Sequence, residues 1–443
     1  MNRSTLIALV VLAALGGYIY WFEREPDTDA EGELVFDVEE DAVDRIEIST
    51  SEPEEKPVVV EKEGENHWRL TSPVATEADG TEVGLLTQTL ATMRFERVVA
   101  KASEVKLTDF GLERPRIEVR FRTKDGSERS LAFGGDAPTT SNQYARRDGG
   151  EDILVVRSHL SLNFDKGGWD LREKRVFGDA GTGEPKRIEI TRLAGNVLLA
   201  KEGGLWFVTE PRSRADRDRV AAIASRIREA EMREIVSETS ENLEAYGLKD
   251  PSRRVRLEFE GEGASALELE IGSEKDVDYY ARTPGREQVF LLAGDIVNDL
   301  ESPLSELQSK KLFAYSVFEV SRFRVEAPGA EPRELEKIEA GDEKKWRRTR
   351  PEPAQELDTT AVEDLLYALN GASAARVLEG AGVAEPAYTI TVWSGEPEDE
   401  EEIVVAPSGE TVRATRAGEE VALELTPETW SEIEAKMTLE KKE

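Results

Sequence analysis

The same series of landmarks occurs three times along the chain, and no other property restricts its fold as strongly. Each series has a Trp five residues before a Pro, an Asp leading an amphipathic segment, a Gly four residues before a Pro, and then alternating strands. The Trp and Pro positions are Trp68 and Pro73, Trp206 and Pro211, Trp346 and Pro351; the Gly and Pro positions are Gly111 and Pro115, Gly247 and Pro251, Gly382 and Pro386. The period of 135 to 142 residues is far above the roughly 20–50 residues of solenoid and propeller units. Each copy is long enough to bury its own core, so the spacing predicts domains rather than blades. A length of 443 residues, at roughly 150 per domain, gives the same count of three.

Within a copy, the opening residues alternate as in half-buried strands: Ile46 and Ile48, then Ile188 and Ile190, then Phe323 and Val325. An amphipathic helix follows, with stripes Val83, Leu86, Leu90, Met93; Val220, Ile223, Ile227, Ala230; and Val362, Leu365, Leu369, Ala372. The three-four-three step lays one apolar face along about three turns, which the sheet must cover. Asp79, Asp216 and Asp358 each precede the first stripe residue by four, where a carboxylate accepts from the free amides of the first turn, and Glu82 completes a capping box in the first copy. After the Gly turn, Ile117, Val119 and Phe121 match Val255, Leu257 and Phe259, then Tyr388, Ile390 and Val392, and further strands follow. Copies one and two close with similar tails, Leu171 to Phe177 and Leu307 to Phe313. Strands, one principal helix and strands again, without βαβ alternation, read as α+β with antiparallel sheets.

Residues 5–22 carry no charge and are long enough for a short upright membrane helix. Arg3 and the amino terminus precede the run and six acidic residues follow it within residues 23–33, so the charge bias leaves the N-terminus cytoplasmic and the repeats outside. An aromatic end, Tyr18, Tyr20, Trp21 and Phe22, suits the membrane interface, and no cleavage site follows, which favours an uncleaved signal anchor. The expected organisation is therefore a transmembrane anchor over 1–22, an acidic tether over 23–42, repeat domains over 43–179 and 180–317, and a diverged third over 318–443. A net charge of −34 disfavours nucleic acid and anionic lipid surfaces as partners.

Nothing that recurs is a recognisable catalytic group. The absence of Cys removes thiolate chemistry and Cys-based metal sites. The two histidines, His67 and His159, do not recur in the other copies, Ser103 and Lys106 form an S-x-x-K string without its companion strings, and the acidic segment from Asp27 has Val38 where a calcium loop needs a bidentate Glu. No phosphate-binding glycine motif is present, and no cofactor is expected. The aligned tryptophans suit a core better than a row of sugar platforms. Tyr144 to Arg146 and Tyr280 to Arg282 read as cross-strand packing pairs. The one local departure is charge inversion: Arg212, Arg214, Arg217 and Arg219 surround the helix start of copy two, and Lys344, Lys345, Arg347, Arg348 and Arg350 surround the Trp of copy three. Such islands can hold a carboxylate, a phosphate or an acidic partner surface, or can be solvated charge paired with neighbouring Asp and Glu.

An N-terminal anchor followed by repeats of R-I-E-I (Arg45 to Ile48, Arg187 to Ile190), W-x-x-x-x-P, an Asp-led helix and F/Y-G-L-x-x-P resembles the bacterial family called domain of unknown function 4340. In the third copy Arg322-Phe323-Arg324-Val325 replaces the opening string. The resemblance implies an envelope protein encoded near gliding-type ABC transporter components, hence an accessory or scaffold role, and it supplies no catalytic residues. The expectation is a non-enzymatic, inner-membrane-anchored periplasmic protein, an accessory or scaffold subunit of a transporter or envelope complex. An envelope-polymer hydrolase using paired carboxylates and a purely structural spacer are the alternatives.

Overall fold

The computed structural model describes residues 32–438, apart from 52–55, 65–66, 140, 182, 262–264, 341–342, 381, 384 and 396–398. The apolar run 5–22 lies outside the described residues, and among those described no helix is long and apolar enough to cross a membrane.

Three antiparallel sheets carry the three copies. In copy two the strands are Pro185–Thr191, Val197–Glu202, Leu205–Thr209, Arg212–Arg214, Met232–Ser237, Arg253–Phe259, Leu267–Lys275, Asp278–Arg282 and Val289–Ala293. Numbered one to nine in chain order, they lie side by side as 4-3-2-1-6-7-8-9-5, and the other two sheets repeat that order. The first sheet gains a further edge strand, Glu33–Leu34, paired with Arg94–Lys101. Strand four ends one edge and strand five begins at the other, so the chain between them must cross a whole face. That crossing is made by the stripe-bearing helix: α1 (Gly80–Thr92), α2 (Arg217–Arg228) and α3 (Thr359–Gly371). All twelve stripe residues are buried, and the tryptophans sit beneath the helices with at most 9% exposure, as core rather than as ligand platforms.

Each helix starts on its expected Asp. Asp79 accepts from the amides of Thr81 and Glu82 at 2.9 and 3.2 Å, Asp216 from Asp218 and Arg219 at 3.0 Å each, and Asp358 from Thr360 at 2.9 Å. The reciprocal half of the capping box in copy one does not form. The Asp79 amide donates to Leu171 O instead (2.9 Å), and Glu82 takes Lys166 Nζ at 2.6 Å.

Other details depart from the sequence reading. Ladder pairing sets Val119 against Leu131 and Val255 against Leu269, so Arg253, Val255 and Leu257 occupy the places of Ile117, Val119 and Phe121. Alternation alone sets the match two residues later because Phe259, which stands where copy one has Thr123, is also apolar. The turn glycines Gly111 and Gly247 have φ of 67° and 68°, and a Cβ there would lie 2.6 Å from Gly135 N and 2.8 Å from Ser273 N. Gly382 has no positive φ and open surroundings, and copy three has Ala406-Pro407 where the others have Gly134-Gly135 and Gly272-Ser273. The glycine-lined seat of the other copies is therefore absent from copy three. Copy three also carries a second full helix, α4 (Pro427–Lys436), which buries Trp430 and Ile433.

Three cores form, over 35–171, 176–307 and 312–437. The expected boundaries shift accordingly: Val35 and Phe36, assigned to the tether, are core residues of copy one, while Val176 and Phe177 belong to copy two and Leu312 to Val317 to copy three. By packing the chain divides into two compact units, 1–174 and 175–443, the second holding two copies.

Candidate functional site

Copy two's basic island lies at the seam between copies two and three, and most of it is already engaged. The seam begins with the tail. Leu307 O accepts from the Asp216 amide (2.7 Å) and Ser309 N donates to Arg214 O (2.8 Å), fixing the tail to the helix start of copy two. The next residues turn to copy three: Ala374 N donates to Lys310 O (2.8 Å) and Leu312 N to Ala372 O (3.3 Å), at the end of α3. One extended segment thus stitches two cores. In the first unit, Leu171 and Glu173 pair with Asp79 and Glu77 as Leu307 and Ser309 pair with Asp216 and Arg214.

Around the tail, charged groups of the two copies meet. Arg214 Nη1 donates to Glu401 Oε2 at 2.7 Å, and that carboxylate also accepts from Ala314 N at 3.0 Å. Arg416 donates to Lys311 O and Ser309 O at 2.8 and 2.9 Å, and its Nε lies 2.9 Å from Glu419. Arg212 and Glu420 exchange backbone and side-chain bonds, Arg212 N to Glu420 Oε2 at 2.8 Å and Glu420 N to Arg212 O at 2.7 Å. Arg416 and Glu419 side chains are each 3% exposed. Burial lowers the Arg416 guanidinium to about 10, against the pull of Glu419, so it stays charged at neutral pH. Two buried cations face the buried Glu419 carboxylate and the part-buried Glu401, an arrangement that holds register and is expensive to break from one side.

The other island residues resolve one by one. Arg212 pairs with Glu202 at 2.8 Å and Arg219 reaches Ser302 and Glu306 at 3.2 and 3.5 Å. Only Arg217 of this group is exposed with no ion-pair partner among the described residues. In copy three, Lys345 approaches Glu356 (3.9 Å), Arg347 Glu336 (3.5 Å), Arg350 Glu334 (4.0 Å), and Arg348 donates to Pro353 O (3.3 Å). Lys344 is exposed and has no such partner among the described residues. Neither island is a free basic surface; among the described residues each leaves one cation without a partner.

Further candidates do not converge. His67 and His159 are exposed and lie apart from any third ligand; among the described residues no three His, Asp or Glu side chains could hold a metal together. Tyr144 packs edge-on against Phe110 (4.7 Å) and Tyr280 packs tilted against Tyr246 (5.0 Å), so the Y-A-R strings brace the Gly turns. Copy one has an open cleft of about 650 Å³ lined by Arg114, Arg116, Asp136, Gln143 and His159. In copy two Arg253, paired with Glu301 at 2.7 Å and lying over Tyr279, stands where copy one has Ile117.

The profile of the family described as Domain of unknown function (DUF4340) matches residues 68–210 and again 206–391. The chain belongs to the DUF4340 family. Each DUF4340 match begins at the Trp of a copy and runs past the opening strands of the next, so each match includes the tail of its copy. No curated protein and no solved structure matches the chain.

Sequence reasoning noticed the tails but assigned them to the closing of one copy. The Arg214–Glu401 pair spans 187 residues, and no local pattern marks Glu401, Arg416 or Glu419 among 92 acidic and 58 basic residues.

Proposed function

We propose that this chain is a non-enzymatic envelope protein, anchored in the bacterial inner membrane by residues 1–22 with its repeats in the periplasm, that serves as an accessory or scaffold subunit of an ABC-type transporter or related envelope complex. The observation that supports this reading is the seam of copies two and three. Its buried charges and its extended tail serve to hold two domains in one orientation, which is what a protein presenting surfaces to partners requires. A catalytic role would instead call for convergent polar groups in one concave pocket.

The test is to crosslink the full-length anchored protein in native membranes, purify it in mild detergent, and identify what accompanies it. Transporter subunits in a fixed ratio are the expected result. Recovery of the protein alone would overturn the accessory reading.

A further inference from the structure

Copies one and two each cover one sheet edge with their own tail, and copy three presents the same edge uncovered. In copy one the tail lies outside the short strand Thr76–Glu77: Leu171 O accepts from Asp79 N at 2.9 Å, Glu173 N donates to Glu77 O at 3.0 Å, and Arg172 pairs with Ala78 between them. Copy two repeats this with Leu307 O on Asp216 N, Ser309 N on Arg214 O, and Gln308 paired with Ala215. The edge of copy three is built alike. Leu357 N donates to Trp346 O as Ala78 N does to Trp68 O and Ala215 N to Trp206 O, which turns the Asp358 amide and the Glu356 carbonyl outward. Among the described residues neither has a backbone partner. Ala78 and Ala215 are buried and the Asp after each is half-buried, whereas Leu357 is half-buried and Asp358 exposed. An unpaired edge is a template for an added strand.

The sequence supplies a strand of the right kind at the right distance. Leu171-Arg172-Glu173-Lys174 and Leu307-Gln308-Ser309-Lys310 share a leucine and a lysine three residues on, and Leu439-Glu440-Lys441-Lys442 has both at the same spacing. Ladders from Ile117, Arg253 and Tyr388 lead through Phe133, Ile271 and Val405 to Ala145, Ala281 and Ala414, and then to Leu154, Phe290 and Leu423 in the last strands. The tail leucine follows these by seventeen residues in copies one and two and by sixteen in copy three. The path between is matched as well. Val297, Leu300 and Leu304 pack on the core of copy two, and Trp430, Ile433 and Met437 pack on that of copy three at the same three-four spacing. Beside them Glu301 pairs with Arg253 and Glu434 with Tyr388, the first residues of equivalent strands. From Leu304 to Leu307 the chain makes one helical turn, about 4.5 Å long. Two extended residues span up to about 7 Å, so Leu439 reaches the same place from Met437 with one residue fewer.

We propose that residues 439–443, which lie outside the described residues, dock on this edge as the closing strand of copy three, with Leu439 O accepting from Asp358 N and Lys441 N donating to Glu356 O. Each copy is then closed by the segment that follows its own last strand. The edge is thereby denied to a strand from a partner protein and to the same edge of a second chain. The proposal goes beyond the accessory reading and does not depend on it.

The test uses the purified full chain in mild detergent. Leu357→Cys/Glu440→Cys places thiols at the counterparts of Ala78–Arg172 and Ala215–Gln308, a non-hydrogen-bonded pair whose Cα atoms lie about 4.5 Å apart. Mild oxidation should give one disulfide within a single chain, and Leu357→Cys/Lys442→Cys should form it about tenfold more slowly. The native chain has no cysteine, so no other pairing competes. No disulfide, a disulfide between two chains, or equal rates for the two pairs would each overturn the proposal. Hydrogen exchange gives a second reading without cysteines. The Asp358 amide should exchange about tenfold faster in Leu439→Asp than in the native chain, while the interior of α3 keeps its protection. Equal exchange of that amide in both chains would overturn the proposal. So would an Asp358 amide protected only after solubilised native membranes are added, the sign of a partner's strand on the edge.

Discussion

Gly111 and Gly382 look alike in sequence, each four residues before a proline, and differ in what surrounds them. At Gly111 the backbone is left-handed and an added Cβ would lie 2.6 Å from backbone nitrogen of the neighbouring strand; at Gly382 nothing lies within 4 Å. Gly111→Ala, and Gly247→Ala by the same argument, should destabilise their copies by about 2 kcal/mol or more, since neither the φ nor the strand can give cheaply. Gly382→Ala should change stability by less than about 0.5 kcal/mol. Urea unfolding followed by local hydrogen exchange checks the contrast, and equal effects at the three glycines would contradict it. The same scale explains the islands. Sequence shows a run of arginines; whether each is free depends on carboxylates as distant as Glu401 and Glu419.

Among the elements, the helices were the most legible, because a three-four-three apolar step has only one secondary structure that buries it and because Asp at the cap has a local cause. The strands were legible as alternation, yet alternation leaves a two-residue slip invisible when Phe259 extends the pattern, and only the ladder with Leu267–Lys275 reveals it. The helix α4 was missed, since Trp430 and Ile433 alone give a short stripe in a charged segment. Its docking carries a pH signature. A hydrogen bond from Tyr388 to Glu434, with burial adding to it, raises the Tyr388 hydroxyl to about 12, and the ring packs on Trp430 with centroids 5.1 Å apart. A raised value in the folded state means that this contribution is complete below the ordinary tyrosine range near pH 10 and is lost as pH rises through 12. Emission from Trp430, isolated by difference from Trp430→Phe, should change across that window in the native chain and lose this dependence in Tyr388→Phe. An unchanged alkaline profile in Tyr388→Phe would contradict the assignment.

At the scale of the molecule, three cores were countable from the repeat alone, but how copies two and three join was not, because the joint is made of long-range ion pairs and of a tail that belongs half to each copy. Removing one partner of a buried pair leaves an uncompensated charge, so Glu401→Ala should cost about 3 kcal/mol, whereas Arg214→Met/Glu401→Leu together should recover most of the loss. Equal costs for the single and double variants, read by thermal unfolding of the full chain, would show that the pair itself matters little. The most direct measurement of the central claim, that copies two and three are locked as one body, is a pulsed electron-spin distance between labels at Ala221→Cys in α2 and Glu410→Cys in copy three. The native chain has no cysteine, so the labels are unambiguous. A single narrow distance that broadens with Glu401→Ala is the predicted result; a broad distribution in the otherwise native chain would contradict the account.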